Sequence, residues 1–134
     1  MRLPKRFLAL TTLGCFALSG CGGTASSQQC KILSINVSPA TATVDHTAAP
    51  PGNMQHFDAF IGTVPPGCSF ITGNIFDATW TVSDSTNVSI SNAQDSTRGN
   101  ATCKGATAGA VTVTATKIES DGSKVSNTAL LTCN

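Results

Sequence analysis

Apolar and polar residues alternate along most of the chain after residue 30, in short runs separated by turn residues. A period of two is typical of β-strands that bury one face. The clearest run covers residues 111–116, where Val111, Val113 and Ala115 alternate with threonines. The alternation predicts about seven strands and no helix. The strands cover residues 32–38 with a short continuation at 42–44, then 54–61, 78–82, 88–90, 101–106, 111–116 and 126–133.

Turn signals lie between the predicted strands. Pro50-Pro51-Gly52 and Ser83-Asp84-Ser85 each mark a reversal of the chain. Asp121-Gly122 favours a tight hairpin, because both residues tolerate positive φ. Short strands with alternating faces, spaced about ten residues apart, are typical of a two-sheet β-sandwich. We therefore predict one all-β sandwich domain over residues 32–134.

The inward-facing positions of these strands form the candidate core. A tryptophan on the third strand could instead expose its indole for stacking on a sugar ring. Because Trp80 alternates with Thr79 and Thr81 and shares a face with Val82, we expect it to point inward, as the core tryptophan of many sandwiches does. The predicted core consists of Phe57, Ala59, Trp80, Val82, Val88, Ile90, Val111 and Val113.

Six short segments, taken in order, carry a family resemblance. They are Ile35-Asn36-Val37-Ser38-Pro39-Ala40, residues 52–59, residues 78–84, Val88-Ser89-Ile90, residues 105–109 and residues 109–116. Together they resemble the group 2 bacterial immunoglobulin-like domain of cell-surface proteins such as intimins and invasins. The resemblance covers residues 32–133 and implies an immunoglobulin-like sandwich on the cell surface. The chain departs from the family pattern in its long loop after the second strand and in the four cysteines of the module.

Residues 1–20 have the layout of a secretory signal peptide. Three basic residues precede the apolar run 7–18, and the small residues Ser19 and Gly20 follow it, as in exported precursors. The run is too short for a membrane-spanning helix, which needs about 20 apolar residues. We therefore predict that residues 1–20 are a cleaved leader.

The leader ends in Leu18-Ser19-Gly20-Cys21, which resembles the lipobox of bacterial lipoproteins. The resemblance implies that Cys21 is acylated, that residues 21–31 form a flexible tether, and that the acyl chains hold the protein on a membrane. Gly22 rather than Asp directly follows this cysteine, and in this the chain resembles lipoproteins that are passed to the outer membrane of Gram-negative cells. The expected location is therefore the cell envelope or surface, at the outer membrane if the cell is Gram-negative. Leu13-Gly14-Cys15 is a poorer match, and plain secretion with a free Cys21 is the alternative.

Four cysteines remain in the module. An even number of cysteines in a small exported domain favours disulfides over a metal site, and the cysteine spacings are not those of a zinc knuckle. If the strands alternate in direction, the first two of these cysteines lie at one end of the sandwich. This favours two pairs among the possible ones, namely Cys30 with Cys68 and Cys103 with Cys133. We predict no metal and no cofactor.

The charge pattern disfavours nucleic acid as a partner. Three of the eight basic residues lie within residues 1–20, so five basic residues face seven acidic ones in the mature chain, for a net charge of about −2. Without clustered Lys or Arg, the domain offers no footprint for a phosphate backbone.

The two histidines, His46 and His56, lie in no recognisable catalytic motif, and we expect His56 to be solvated. We therefore expect a protein that is not an enzyme.

The loop between the second and third predicted strands, residues 62–74, is the candidate binding surface. It contains Pro65, Pro66, Phe70 and Ile71, and large apolar side chains in a surface loop can form a contact patch. The alternative is that Phe70 and Ile71 fold back over the sandwich. The leading hypothesis is a surface adhesion module that binds a protein or carbohydrate ligand. The other hypotheses are a structural envelope subunit or spacer, and an exported hydrolase.

Overall fold

The structure, a computed structural model, describes residues 30–69, 73–75 and 77–134, and in these ranges the regular elements are all β-strands. The strands are β1 (Ser34–Ser38), β2 (Thr41–Val44), β3 (Met54–His56), β4 (Asp58–Thr63), β5 (Thr79–Val82), β6 (Val88–Ile90), β7 (Asn100–Cys103), β8 (Val111–Ile118) and β9 (Lys124–Cys133). The described ranges contain no helix long and apolar enough to cross a membrane. The predicted leader, the predicted lipidation site Cys21 and most of the predicted tether lie outside these ranges.

The all-β prediction is confirmed, although the described residues contain nine strands rather than about seven. Phe57 donates its backbone N–H to the Gly99 carbonyl at 3.0 Å, and at this point the predicted strand 54–61 divides into β3 and β4. The predicted continuation of the first strand pairs with β9, whereas β1 pairs with β4. It is therefore a separate strand, β2.

The strands form two packed layers. One layer contains the groups β1–β4 and β3–β7–β6, which are connected because β3 and β4 follow one another along the chain. The other layer has the order β2–β9–β8–β5. Among the described strands, the pairing of β2 with β9 is parallel and the other pairings are antiparallel. This order matches an immunoglobulin-type sandwich, in which one sheet holds the first, second, fifth and fourth strands and the other holds the third, sixth and seventh.

The core lies between the two layers. Of the predicted core residues, Val82 and Ile90 are partly buried against the core, and the others are buried within it. The rings of Phe57 and Trp80 pack with their centroids 6.5 Å apart. Over residues 111–116 of β8, Val111, Val113 and Ala115 are buried while the threonines that alternate with them are half-buried, and Ile118 at the end of the strand is exposed. Burial of these alternate side chains holds the layers together, because removing apolar surface from water is the main favourable term in folding.

Two disulfides reinforce the sandwich. Cys30 is bonded to Cys68 and Cys103 to Cys133, with Cα atoms 5.5 and 5.8 Å apart. These are the pairs that the strand directions favour. Cys103 and Cys133 are buried in the core, whereas Cys30 is exposed. Bridges with sequence separations of 38 and 30 residues each stabilise a fold by about 3–4 kcal/mol when their effect is to restrict the unfolded chain.

Candidate functional site

A cleft of about 200 Å³, here called the flank cleft, opens on the side of the sandwich next to the break between β3 and β4. Its floor is apolar and consists of the buried residues Phe57, Ala59, Ile75 and Trp80. Its rim is polar and consists of His56, Asp58, Asn74, Asp95, Ser96 and Arg98. An apolar floor with a few converging polar groups is typical of sites for small ligands.

The flank cleft lies at the junction of β3 and β4, where the hydrogen-bonding partner of the chain changes from β7 to residues 74–75. The pairing of β3 with β7 ends at His56 opposite Asn100. Further along, the Ile75 N–H donates to the Ala59 carbonyl at 2.7 Å, so residues 74–75 run beside β4. Between these two neighbours, no strand of the described ranges pairs with the segment, and the cleft lies at this position.

The loop formed by residues 91–99, here called the 91–99 loop, makes one wall of the cleft, and Gly99 allows its close approach. Gly99 has a φ of +80°, and a Cβ added there would lie 2.1 Å from the Phe57 carbonyl oxygen and 3.4 Å from the Trp80 ring. Its N–H donates to the Ser91 carbonyl at 2.9 Å and closes the loop. A side chain at this position would push the loop away from the strand break.

Two side chains fasten the 91–99 loop to the beginning of β5. Arg98 donates to the backbone carbonyls of Ala78, Asn92 and Ala93 at distances between 2.8 and 3.0 Å. The Asn92 carboxamide accepts from the Trp80 N–H at 2.6 Å and donates to the Trp80 carbonyl at 2.9 Å. One side chain therefore satisfies both backbone groups of an edge residue, as a neighbouring strand would.

Hydrogen bonds also connect the residues on the opposite rim. His56 Nδ1 lies 2.6 Å from Asn100 Oδ1, and His56 Nε2 lies 3.1 Å from Asp58 Oδ1. The same Asp58 oxygen accepts from Asn74 Nδ2 at 2.6 Å. His56 is exposed, and its ring nitrogens face side-chain oxygens rather than a nucleophile. This arrangement orients Asp58 and does not have the geometry of a catalytic triad.

Asp95 adds a second carboxylate to the rim. Its Oδ1 accepts from the Thr97 hydroxyl at 2.6 Å and from the Thr97 N–H at 2.8 Å. These hydrogen bonds, together with the charge of Arg98, hold the pKa of Asp95 below its ordinary value. Because the ordinary value is about 3.9, the rim carries an ionised carboxylate at neutral pH.

The predicted binding loop contributes Asn74 to the cleft. At its start, Gly62 and Thr63 belong to β4 rather than to a loop. Pro65 is buried and Pro66 is exposed. Phe70 and Ile71 lie outside the described residues.

The sequence does not predict that several of the rim and wall residues lie at the cleft. Asp95 and Thr97 form a side-chain-to-backbone turn of the kind that Asp often makes, so the sequence around them explains the carboxylate without any ligand. Only the fold brings Asp95 near Asp58. The one available signal was Arg98, the single arginine after the predicted leader, which stands in an otherwise polar, turn-rich stretch.

Comparison with known proteins finds no family model and no curated protein that matches this chain. Within the part of the chain that the structure describes, no three His, Cys, Asp or Glu side chains are grouped to hold a metal ion. On physical grounds the described residues define a disulfide-bonded, all-β sandwich domain with a small cleft on one side, which has an apolar floor and a polar rim.

Proposed function

We propose that this chain is a non-catalytic lipoprotein of the bacterial cell surface, whose immunoglobulin-like domain binds an external ligand through the flank cleft. The observation that carries the proposal is the cleft itself, in which oriented carboxylates surround an apolar floor. Orientation matters because a site whose polar groups are already held in place loses less freedom when a ligand binds.

Two features support export and anchoring. The two disulfides suit an oxidising compartment, where such bonds form and persist. The segment Leu18-Ser19-Gly20-Cys21 resembles a lipobox, and acyl chains on a cysteine would attach the tether to a membrane.

Anchoring can be tested with cysteine variants in the leader region. We expect Cys21→Ser to move the protein from the membrane fraction to the soluble fraction, because the acceptor for the acyl chains is lost. The matched variant Cys15→Ser should remain in the membrane fraction and carry an acyl mass on its N-terminal peptide. Release by Cys15→Ser, or membrane retention of Cys21→Ser, would contradict the assignment.

The topology supports the family resemblance in part. The strand order, with Trp80 buried on the strand after the β3–β4 pair, is the order expected of an immunoglobulin-like domain. Members of the resembled family display such domains on cell surfaces. A surface-displayed binding or adhesion role is therefore the function we propose, and the ligand is a protein or a glycan outside the cell.

Blocking the flank cleft tests the binding role. The full chain in detergent micelles would be labelled and applied to arrays of extracellular proteins and glycans. We expect specific binding that Ser96→Trp abolishes, because an indole on the rim fills the cleft. Thr43→Trp, on the exposed face of β2, is the matched control and should bind normally.

The outcomes separate the remaining hypotheses. Binding that survives Ser96→Trp would place the contact surface elsewhere on the domain. A complete lack of binding by the wild-type chain would contradict the binding role and favour a structural envelope subunit or spacer. Hydrolysis of an array component that His56→Ala abolishes would favour the exported hydrolase.

A further inference from the structure

We infer that the flank cleft accepts a single ring of a neutral saccharide. This inference rests on the proposed function, in which the cleft is the contact site. Three properties of the cleft favour such a ligand, namely the hydrogen-bonding groups that the rim leaves open, the charges around the cleft, and the size and chemistry of its floor.

The rim offers a ligand hydrogen-bond acceptors more readily than hydrogen-bond donors. Asp58 Oδ1 and Asp95 Oδ1 are both occupied by neighbouring groups, as described above. The second carboxylate oxygen of each residue accepts no hydrogen bond from any residue that the structure describes. A ligand that satisfies these two oxygens must bring donors, and sugar hydroxyl groups are donors of this kind.

The principal cation of the cleft is turned toward the protein. Arg98 uses Nε, Nη1 and Nη2 to bind three backbone carbonyls. Its fork is therefore not presented for the bidentate recognition that phosphate and carboxylate ligands favour. The two rim carboxylates would also repel an anionic ligand.

Arg98 also disfavours a cationic ligand. Although its donors point inward, the Arg98 guanidinium keeps its positive charge beside the cleft, and like charges in partly desolvated sites repel each other. An amine or a divalent cation would lie next to this charge. The combination of open carboxylate oxygens and an adjacent fixed cation suits a neutral donor.

The floor and the volume suit a sugar ring. Carbon atoms of Phe57, Ala59, Ile75 and Trp80 form the bottom of the cleft. Each of these residues is at most 8% exposed, so they offer a small apolar contact that suits the C–H groups of one pyranose ring. A volume of about 200 Å³ is smaller than the roughly 300–1,000 Å³ of sites for drug-sized ligands. The cleft therefore accommodates one ring rather than an extended chain.

The test is a titration of the isotope-labelled full chain in detergent micelles, followed by NMR. Glucose, galactose, mannose and N-acetylglucosamine are the neutral probes, while methylammonium, calcium chloride and inorganic phosphate represent the other ligand classes. We expect at least one sugar to shift the amide signals of Asn74 and Ser96 and the indole signal of Trp80. The double variant Asp58→Asn/Asp95→Asn should bind that sugar at least tenfold more weakly.

The matched control is Asp45→Asn/Asp121→Asn, which removes two carboxylates that likewise accept hydrogen bonds from neighbouring residues but lie outside the cleft. It should bind the sugar as the wild type does. Sugar binding that is unchanged in the Asp58/Asp95 variant would overturn the inference. So would shifts produced by methylammonium, calcium or phosphate but not by any sugar.

The saccharide inference and the proposed function fail in different ways. If no sugar shifts the cleft signals while Ser96→Trp still abolishes binding on the arrays, the ligand class is wrong and the binding role stands. If no probe shifts the cleft signals and the wild-type chain binds nothing on the arrays, both are wrong.

Discussion

Gly99 is the residue on which the flank cleft depends most directly. In Gly99→Ala, the new Cβ would lie 2.1 Å from a backbone oxygen at a φ of +80°. The left-handed conformation alone costs a residue other than glycine about 1–2 kcal/mol, and relief of the contact requires the loop to move. We expect the free energy of unfolding in urea to fall by more than about 2 kcal/mol.

Gly122→Ala is the matched control for this prediction. Gly122 has a φ of +81°, but an added Cβ would meet nothing within 4 Å. Its loss should be limited to the conformational cost of about 1–2 kcal/mol. An equal decrease in the free energy of unfolding of the two variants would show that the close contact with Phe57 does not contribute to the effect of Gly99→Ala.

The lowered pKa of Asp121 predicts that the protein loses stability in acid. Hydrogen bonds from Ser123, with a smaller contribution from Lys31, lower the pKa of Asp121 to about 2, whereas the unfolded value is about 3.9. Because the folded pKa is the lower one, the stabilisation is complete above the unfolded value and is lost as pH falls through the folded value. The midpoint of thermal unfolding should therefore fall between about pH 4 and pH 2.

Asp121→Asn should make this fall shallower, since an amide does not titrate. Lys31→Gln removes only the ion pair with Asp121 and should retain most of the fall, because the Ser123 hydrogen bonds remain. Thermal unfolding of the three proteins, followed by circular dichroism at a series of pH values, measures the difference. Identical profiles for Asp121→Asn and the wild type would contradict the role assigned to Asp121.

Among the structural elements, β5 is an edge strand whose backbone is shielded from pairing with another chain by one specific side chain. The edge of a sheet exposes backbone groups to which another chain can pair, and Asn92 occupies both such groups of Trp80. Asn92→Ala should cost about 1–2 kcal/mol for the lost hydrogen bonds. It should also allow two chains to associate through their β5 edges.

Sedimentation velocity at increasing protein concentration, with the full chain in detergent, measures this association. Asn36→Ala is the matched control, because Asn36 is exposed on β1, an edge strand of the other layer. It should leave both stability and sedimentation unchanged. An Asn92→Ala protein that sediments like the wild type at every concentration would show that the side chain does not protect the edge.

Strand positions could be predicted because each depends on local alternation. In β8 the buried and half-buried residues follow the sequence pattern residue by residue. The break at Phe57 could not be predicted, because it accompanies a hydrogen bond to Gly99, far along the chain. The parallel pairing of β2 with β9 was equally inaccessible, since alternation specifies a strand but not its partner.

At the scale of the whole molecule, the two disulfides should contribute unequally. Cys103 and Cys133 are each 1% exposed, whereas Cys30 lies at the surface. Both bridges restrict the unfolded chain to a similar degree, but loss of the buried sulfurs also leaves a cavity in the core. Cys103→Ala/Cys133→Ala should therefore lower the free energy of unfolding by about 1 kcal/mol more than Cys30→Ala/Cys68→Ala.

Urea denaturation of both double variants under non-reducing conditions measures the difference. Peptide mapping of the wild type without reduction is the control that verifies the pairing on which the comparison depends. A larger loss in Cys30→Ala/Cys68→Ala would mean that core packing around Cys103 and Cys133 relaxes to fill the space.

The fold could be predicted more fully than the candidate site. Layers and core follow from repeated local signals, and the favoured disulfide pairing follows from strand direction. The flank cleft combines residues 56–59, 74–75 and 95–98, whose proximity depends on the register of several strands. Asp58 and Asp95 have unremarkable sequence surroundings, so their juxtaposition emerges only in three dimensions.

The burial of Trp80 has a practical consequence. It is the single tryptophan of a chain that has no tyrosine, and it is 3% exposed beneath the flank cleft. Ultraviolet emission from this chain therefore comes from one shielded chromophore. Its wavelength reports whether water reaches the interior, and its intensity offers an optical signal for any molecule that settles above the ring.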